Sequence, residues 1–121
     1  HALNGVAVPR IKVRTYRDEY LPGRTLSPER LEYLSKTIAL LKPHGTVVLV
    51  RLPVCAEIAA MEDSFAPDMQ ARLNDLASTT GAAFADLDTM AVTFTDGNHL
   101  DEASGLRMTE ALRKAIQERM R

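Results

Sequence analysis

Thr46-Val-Val-Leu-Val-Arg-Leu52 is β-branched, almost continuously apolar, and stopped by Pro53. A strand that shows one face to water alternates apolar and polar residues; this run does not, which suits a strand buried on both faces of a parallel sheet. Upstream, Ser27-Pro28-Glu29 has the features of a helix start. The Ser hydroxyl can accept from a free amide of the first turn, Pro suits that turn, and Glu complements the helix dipole. Leu31, Leu34, Ile38 and Leu41 then recur at helical spacing, and Pro43 and Gly45 end the segment. Downstream, a helix is expected from about Ala66 to Thr80, with Met69, Leu73 and Leu76 inward and Gly81 as its stop. Ala82-Ala-Phe-Ala-Asp-Leu87 follows as a second short strand. Strand, helix, strand implies a right-handed crossover and a parallel pair.

The flanking regions are less regular. Val54 to Asp63 has room for one or two helical turns. The last helix is expected from Asp101, whose side chain can cap it, with an inner stripe of Leu106, Thr109, Leu112, Ile116 and Met120. Residues 1–26 form an irregular segment broken by Pro9, Pro22 and Gly23, within which Ile11-Lys-Val-Arg-Thr15 alternates like a strand. Two strands cannot make a stable, doubly covered sheet on their own. Either residues 5–16 supply a third strand, or the sheet continues in a polypeptide outside this sequence. The expected architecture is a three-layer α/β/α domain with a parallel sheet, incomplete in this chain.

Composition narrows the function. A chain of 121 residues fits one domain. Cys55 is the only cysteine, which excludes an internal disulfide framework and leaves the redox compartment open. Val47 to Val50 falls far short of the roughly 20 apolar residues that span a bilayer. No basic stretch followed by an apolar one opens the sequence, so no signal peptide is visible. Charge is uneven: residues 1–53 carry nine Lys/Arg against four Asp/Glu, and residues 54–121 carry six against twelve. The formal net charge is nevertheless only −1 and there is no Trp, so the basic excess and stacking aromatics of a nucleic-acid binder are missing.

In open α/β sheets, ligands bind beyond the carboxyl ends of the strands. His44 precedes the strand at 46–52 and so falls at the amino edge; His1 is terminal. His99 lies in Thr95-Asp96-Gly97-Asn98-His99-Leu100, after the second strand and before the last helix, at the carboxyl edge. Asp96 stands three residues before it across a Gly-Asn turn, close enough for the carboxylate to reach the imidazole. A carboxylate on one ring nitrogen fixes the tautomer and leaves the other nitrogen as a general base. Cys55 sits at the same edge as an alternative nucleophile, against its reading as a small half-buried residue. Arg51, ending the first strand, faces a substrate anion or sugar, or instead pairs with Asp86 or Asp88 on the neighbouring strand. Asp86, Asp88, Asp96, His99 and Asp101 lack the spacing of an oxygen-rich metal loop, so no metal or other cofactor is expected.

Asp96-Gly-Asn-His-Leu-Asp-Glu-Ala-Ser-Gly105, leading into an amphipathic terminal helix, resembles the last block of the SGNH (GDSL-type) hydrolase and acyltransferase superfamily. In that family an Asp-x-x-His pair precedes the final helix, followed by a capping residue and a small one; here these positions hold Asp96, His99, Asp101 and Gly105. The order helix 27–42, strand 46–52, helix 66–80, strand 82–87 is similar to the family's second half, so the resemblance covers roughly residues 27–121. It implies acyl-ester chemistry on a lipid or an acetylated carbohydrate, with His99 as base and Asp96 as its orienting acid. Gly105 would be the small residue that allows the helix to pack closely. Many members of the family work outside the cytoplasm. The family's Gly-Asp-Ser nucleophile block and its Gly-x-Asn-Asp block have no counterpart here. The nucleophile and oxyanion donors would come from an upstream half or a separate chain. Two other readings stay open: a degenerate relative that keeps the fold and binds a partner without catalysis, and an unrelated flavodoxin-like domain. The latter lacks a phosphate-cradling Gly-rich loop after either strand.

Overall fold

A computed structural model describes residues 11–96 and 98–120. The elements run α1 (residues 11–15, continuing into a π-helical turn at Tyr16–Tyr20), α2 (Pro28–Leu41), β1 (Val48–Arg51), α3 (Ala56–Phe65), α4 (Met69–Thr80), β2 (Ala83–Asp86) and α5 (Glu102–Arg119). β1 and β2 pair in parallel, Val48 opposite Ala83 through Arg51 opposite Asp86, giving a mixed α/β fold with a two-stranded sheet. None of the described helices is long and apolar enough to cross a membrane.

Local chemistry sets the boundaries. Ser27 Oγ accepts from the Arg30 amide at 3.2 Å, with Pro28 as the first helical residue, so α2 begins where its cap places it. Gly81 ends α4 in the left-handed conformation at φ +75°, which a residue with a Cβ reaches only at a cost. Asp101 accepts from the Ser104 amide at 2.8 Å and starts α5. Residues 54–63 are more ordered than their composition suggests: α3 is a full ten-residue helix that buries Ile58.

The core is small. Its buried apolar residues are Ile38 of α2, Ile58 of α3, Ala77 of α4, Ala85 of β2 and Ala115 of α5, together with Ala66 and Leu87. Each residue of β1 is only half-buried, where a strand covered on both faces was expected. Among the described residues no third strand lies against β1 to complete that cover. The two outer edges differ. On the β2 side, Arg119 donates from Nη2 and Nε to the Phe84 carbonyl at 2.8 and 3.2 Å, occupying an acceptor that a further strand would need.

Three expectations are corrected. Ile11–Thr15 is helical, not a strand: Thr15 Oγ1 donates to the Ile11 carbonyl four residues back, at 2.9 Å. Five alternating residues are too few to fix a period against such local bonding. The rest of the proposed strand at 5–16 falls largely outside the described residues. The inner face of α5 agrees only in part with the expected stripe. Ser104 and Ala115 are buried and Leu112 and Ile116 are half-buried, while Leu106 (68% exposed), Met120 (66%) and Thr109 are exposed. The fully buried positions of α5 are held by small residues and not by its largest apolar side chains. Gly105, finally, is not a close-packing glycine: a Cβ built there meets nothing within 4 Å.

Candidate active site at the Asp96–His99 loop

The segment between β2 and α5 is closed by its own backbone. Phe94 and Leu100 form an antiparallel bridge, the Thr95 amide donates to the His99 carbonyl at 2.8 Å, and the Asp101 amide donates to Thr93 at 3.0 Å. Thr95 Oγ1 adds a bond to the same His99 carbonyl at 3.1 Å. The loop is tied to α5 by Ser104, fully buried, whose hydroxyl accepts the Thr93 amide at 2.8 Å. A buried hydroxyl with a backbone donor on it is a strong anchor, since breaking the bond strands a polar group away from water.

Asp96 sits inside this frame with both oxygens engaged. Oδ1 accepts from the His99 amide at 2.8 Å and from the Asn98 amide at 3.2 Å. Oδ2 lies 2.5 Å from His99 Nδ1 and 3.4 Å from Lys12 Nζ. The His99 ring bond holds the Asp96 carboxyl well below the usual carboxylate range; desolvation opposes it, and the His99 and Asn98 backbone amides add to the lowering. The carboxylate is therefore an ionised acceptor. It favours the tautomer with the proton on Nδ1, leaving the Nε2 lone pair free.

The imidazole is 70% exposed and its carboxylate partner 20%. The ring borders a groove of about 340 Å³ whose remaining wall is mostly apolar: Leu52 and Pro53 from the end of β1, Asn98 and Leu100 of the loop, and Gly105, Met108 and Thr109 from α5. This lies beyond the carboxyl ends of the strands, where the edge rule directs ligands. Gly105 belongs to the groove wall; its missing side chain keeps that wall open.

The other sequence-derived candidates lie elsewhere. Arg51 (13% exposed) has Nη2 at 3.5 Å from Glu62, 3.7 Å from Asp63 and 3.7 Å from Asp88, and Nη1 donates to Gln70 at 3.4 Å. Of the two partners expected for it, Asp88 is engaged, while Asp86 accepts the Asp88 amide at 2.9 Å. Glu62 carries a raised pKa, chiefly through burial, with Arg51 opposing the rise. Arg51 does not line the His99 groove. Cys55 is the N-cap residue of α3 and half-buried; burial pushes its thiol up, the direction opposite to that of an activated nucleophile. It does not line the groove either. Among the described residues, no group of three or more His, Cys, Asp or Glu side chains is placed to hold a metal ion. His44 is exposed in a 3₁₀ turn, Lys42–His44, at the amino end of β1.

Two residues escaped the sequence reading. Lys12 and Tyr16 of the N-terminal helical segment reach the loop, Lys12 at Asp96 and Tyr16 through its Oη, which accepts from Asn98 Nδ2 at 3.3 Å. They are more than 80 residues away in sequence, and no local pattern signals such a contact. Compared with family models, with curated proteins and with solved structures, the chain matches none.

Proposed function

We propose that residues 27–121 act as the C-terminal half of an SGNH-type serine esterase or O-acyltransferase, with His99 as general base and Asp96 as its orienting acid. The observation that carries this reading is the 2.5 Å contact between Asp96 Oδ2 and His99 Nδ1, on a residue that lines a mostly apolar groove. Such a contact is what a base needs: a fixed tautomer, a stabilised imidazolium after proton uptake, and one nitrogen turned to the reactants.

In this mechanism His99 Nε2 takes the proton of a serine hydroxyl as the oxygen attacks an ester carbonyl. The tetrahedral oxyanion collapses to an acyl-serine, and His99 returns the proton to the departing alkoxide. Water or an acceptor alcohol, deprotonated by the same nitrogen, then attacks the acyl carbonyl; the bond to the serine oxygen breaks and His99 returns the proton to that oxygen. The groove walls of Leu52, Pro53 and Met108 suit a short acyl chain. The serine and the oxyanion donors belong, in this reading, to a companion segment that pairs with β1. The half-buried state of β1 and the blocking of the β2 edge by Arg119 support a sheet that extends on the β1 side.

The test is hydrolysis of a short acyl ester such as p-nitrophenyl butyrate by the polypeptide that includes the companion segment, with and without His99→Ala. The proposal expects a loss of at least about a hundredfold, the usual contribution of a general base. Equal turnover by both proteins overturns the assignment of His99, and no turnover by either overturns the esterase reading in favour of a non-catalytic binding module.

A further inference from the structure

Lys12 and Tyr16 are four residues apart, about one helical turn. Both side chains contact the loop that holds the catalytic pair. Tyr16 Oη accepts from Asn98 Nδ2, and Lys12 Nζ lies 3.4 Å from Asp96 Oδ2, the oxygen that also holds His99 Nδ1. One carboxylate oxygen is thus shared between two nitrogen groups from opposite ends of the chain. We propose that Lys12 is a positioning residue of this site: by sharing Oδ2 it limits how strongly Asp96 can draw a proton onto His99, keeping the ring available as a base. The proposal rests on the reading of His99 as a base, but its test does not require turnover.

The electrostatic argument is direct. An ammonium on the carboxylate offsets part of the negative charge that favours the imidazolium, and itself repels that cation. Lys12 is 29% exposed and Asp96 20%, so water only partly screens the pair. The other surroundings of the ring add little charge. The β1 end contributes Leu52 and Pro53, and α5 contributes Gly105, Met108 and Thr109. The Asp101 carboxylate is committed to the Ser104 amide at the start of α5. Tyr16 faces the loop through a hydroxyl that bonds to Asn98 and not to the carboxylate. Among the described residues, the charged groups in contact with the catalytic pair reduce to Lys12.

The experiment is an NMR titration of the His99 ring in the 121-residue chain and in three variants. Lys12→Met is expected to move the midpoint up by about 0.5 pH unit, the size of one screened charge at this range. Lys12→Arg, which keeps the charge, is expected to restore the original midpoint, and Tyr16→Phe to leave it in place. A midpoint unmoved by Lys12→Met, or moved equally by Tyr16→Phe, overturns the proposal. If Lys12→Met does not fold, the unmutated chain decides: cross-peaks between the Lys12 ε-methylene and the Asp96 β-protons support the contact, and their absence overturns it. Failure of the esterase reading would appear separately, as ester turnover indifferent to His99→Ala while the titration shift persists.

Discussion

Arg119, in the last turn of α5, places its guanidinium on the backbone carbonyl of Phe84 in β2, with Nη2 at 2.8 Å and Nε at 3.2 Å. The same side chain bonds the Ala115 carbonyl from Nη1 at 2.9 Å. One residue thereby fastens the terminal helix to the sheet and closes the β2 edge. Arg119→Met keeps the aliphatic stem and removes the fork. It is expected to destabilise the chain by about 1–2 kcal/mol, a charge-assisted bond discounted for partial exposure. Denaturant unfolding with an unchanged m-value measures this; a midpoint unmoved by the substitution would deny the clamp.

Gly105 offers a test that separates packing from access. It is helical, and its Cβ position is empty space on the groove wall. Gly105→Ala is expected to raise stability by about 0.5–1 kcal/mol, the ordinary advantage of Ala over Gly within a helix. If the proposed esterase function holds, Gly105→Leu, which fills the groove, is expected to lower turnover of a butyryl ester more than that of an acetyl ester by the polypeptide that includes the companion segment. A destabilising Gly105→Ala would mean that the helix does pack tightly at this point.

The depressed Asp96 pKa gives a pH dependence whose sign can be stated. The unfolded chain binds a proton at Asp96 near the ordinary carboxylate value of about 3.9, while the folded chain resists doing so. The stabilisation from Asp96 is therefore fully present above about pH 4 and is lost as pH falls through the lower folded value. The difference in melting temperature between the chain and its Asp96→Asn variant is expected to shrink steadily as the pH falls below about 4. A difference that grows on acidification would reverse the sign.

Much of the frame was legible in the sequence because it is local. Ser27, Gly81 and Asp101 mark helix ends through bonds or dihedrals that involve only their own neighbours. The parallel pairing of 46–52 with 82–87 followed from an apolar run, a helix and a second run. The Asp96–His99 contact spans three residues and a turn, so spacing alone suggested it. What failed was not local. The inner face of α5 is chosen by Ser104 and by the reach of Arg119 to Phe84, thirty-five residues away, not by the positions of Leu106 and Met120. The alternation at Ile11–Thr15 carried no information about the loop that Lys12 and Tyr16 bind. Arg51 meets Glu62 and Asp63 only because α3 is a full helix, where composition indicated a looser stretch.

The most direct measurement is the nitrogen spectrum of the His99 imidazole at a pH where the ring is neutral. A ring held by Asp96 carries its proton on Nδ1, with Nε2 bare, and Asp96→Asn abolishes that preference. A ring protonated mainly on Nε2, with a spectrum indifferent to Asp96→Asn, would contradict the assignment of His99 as an oriented base.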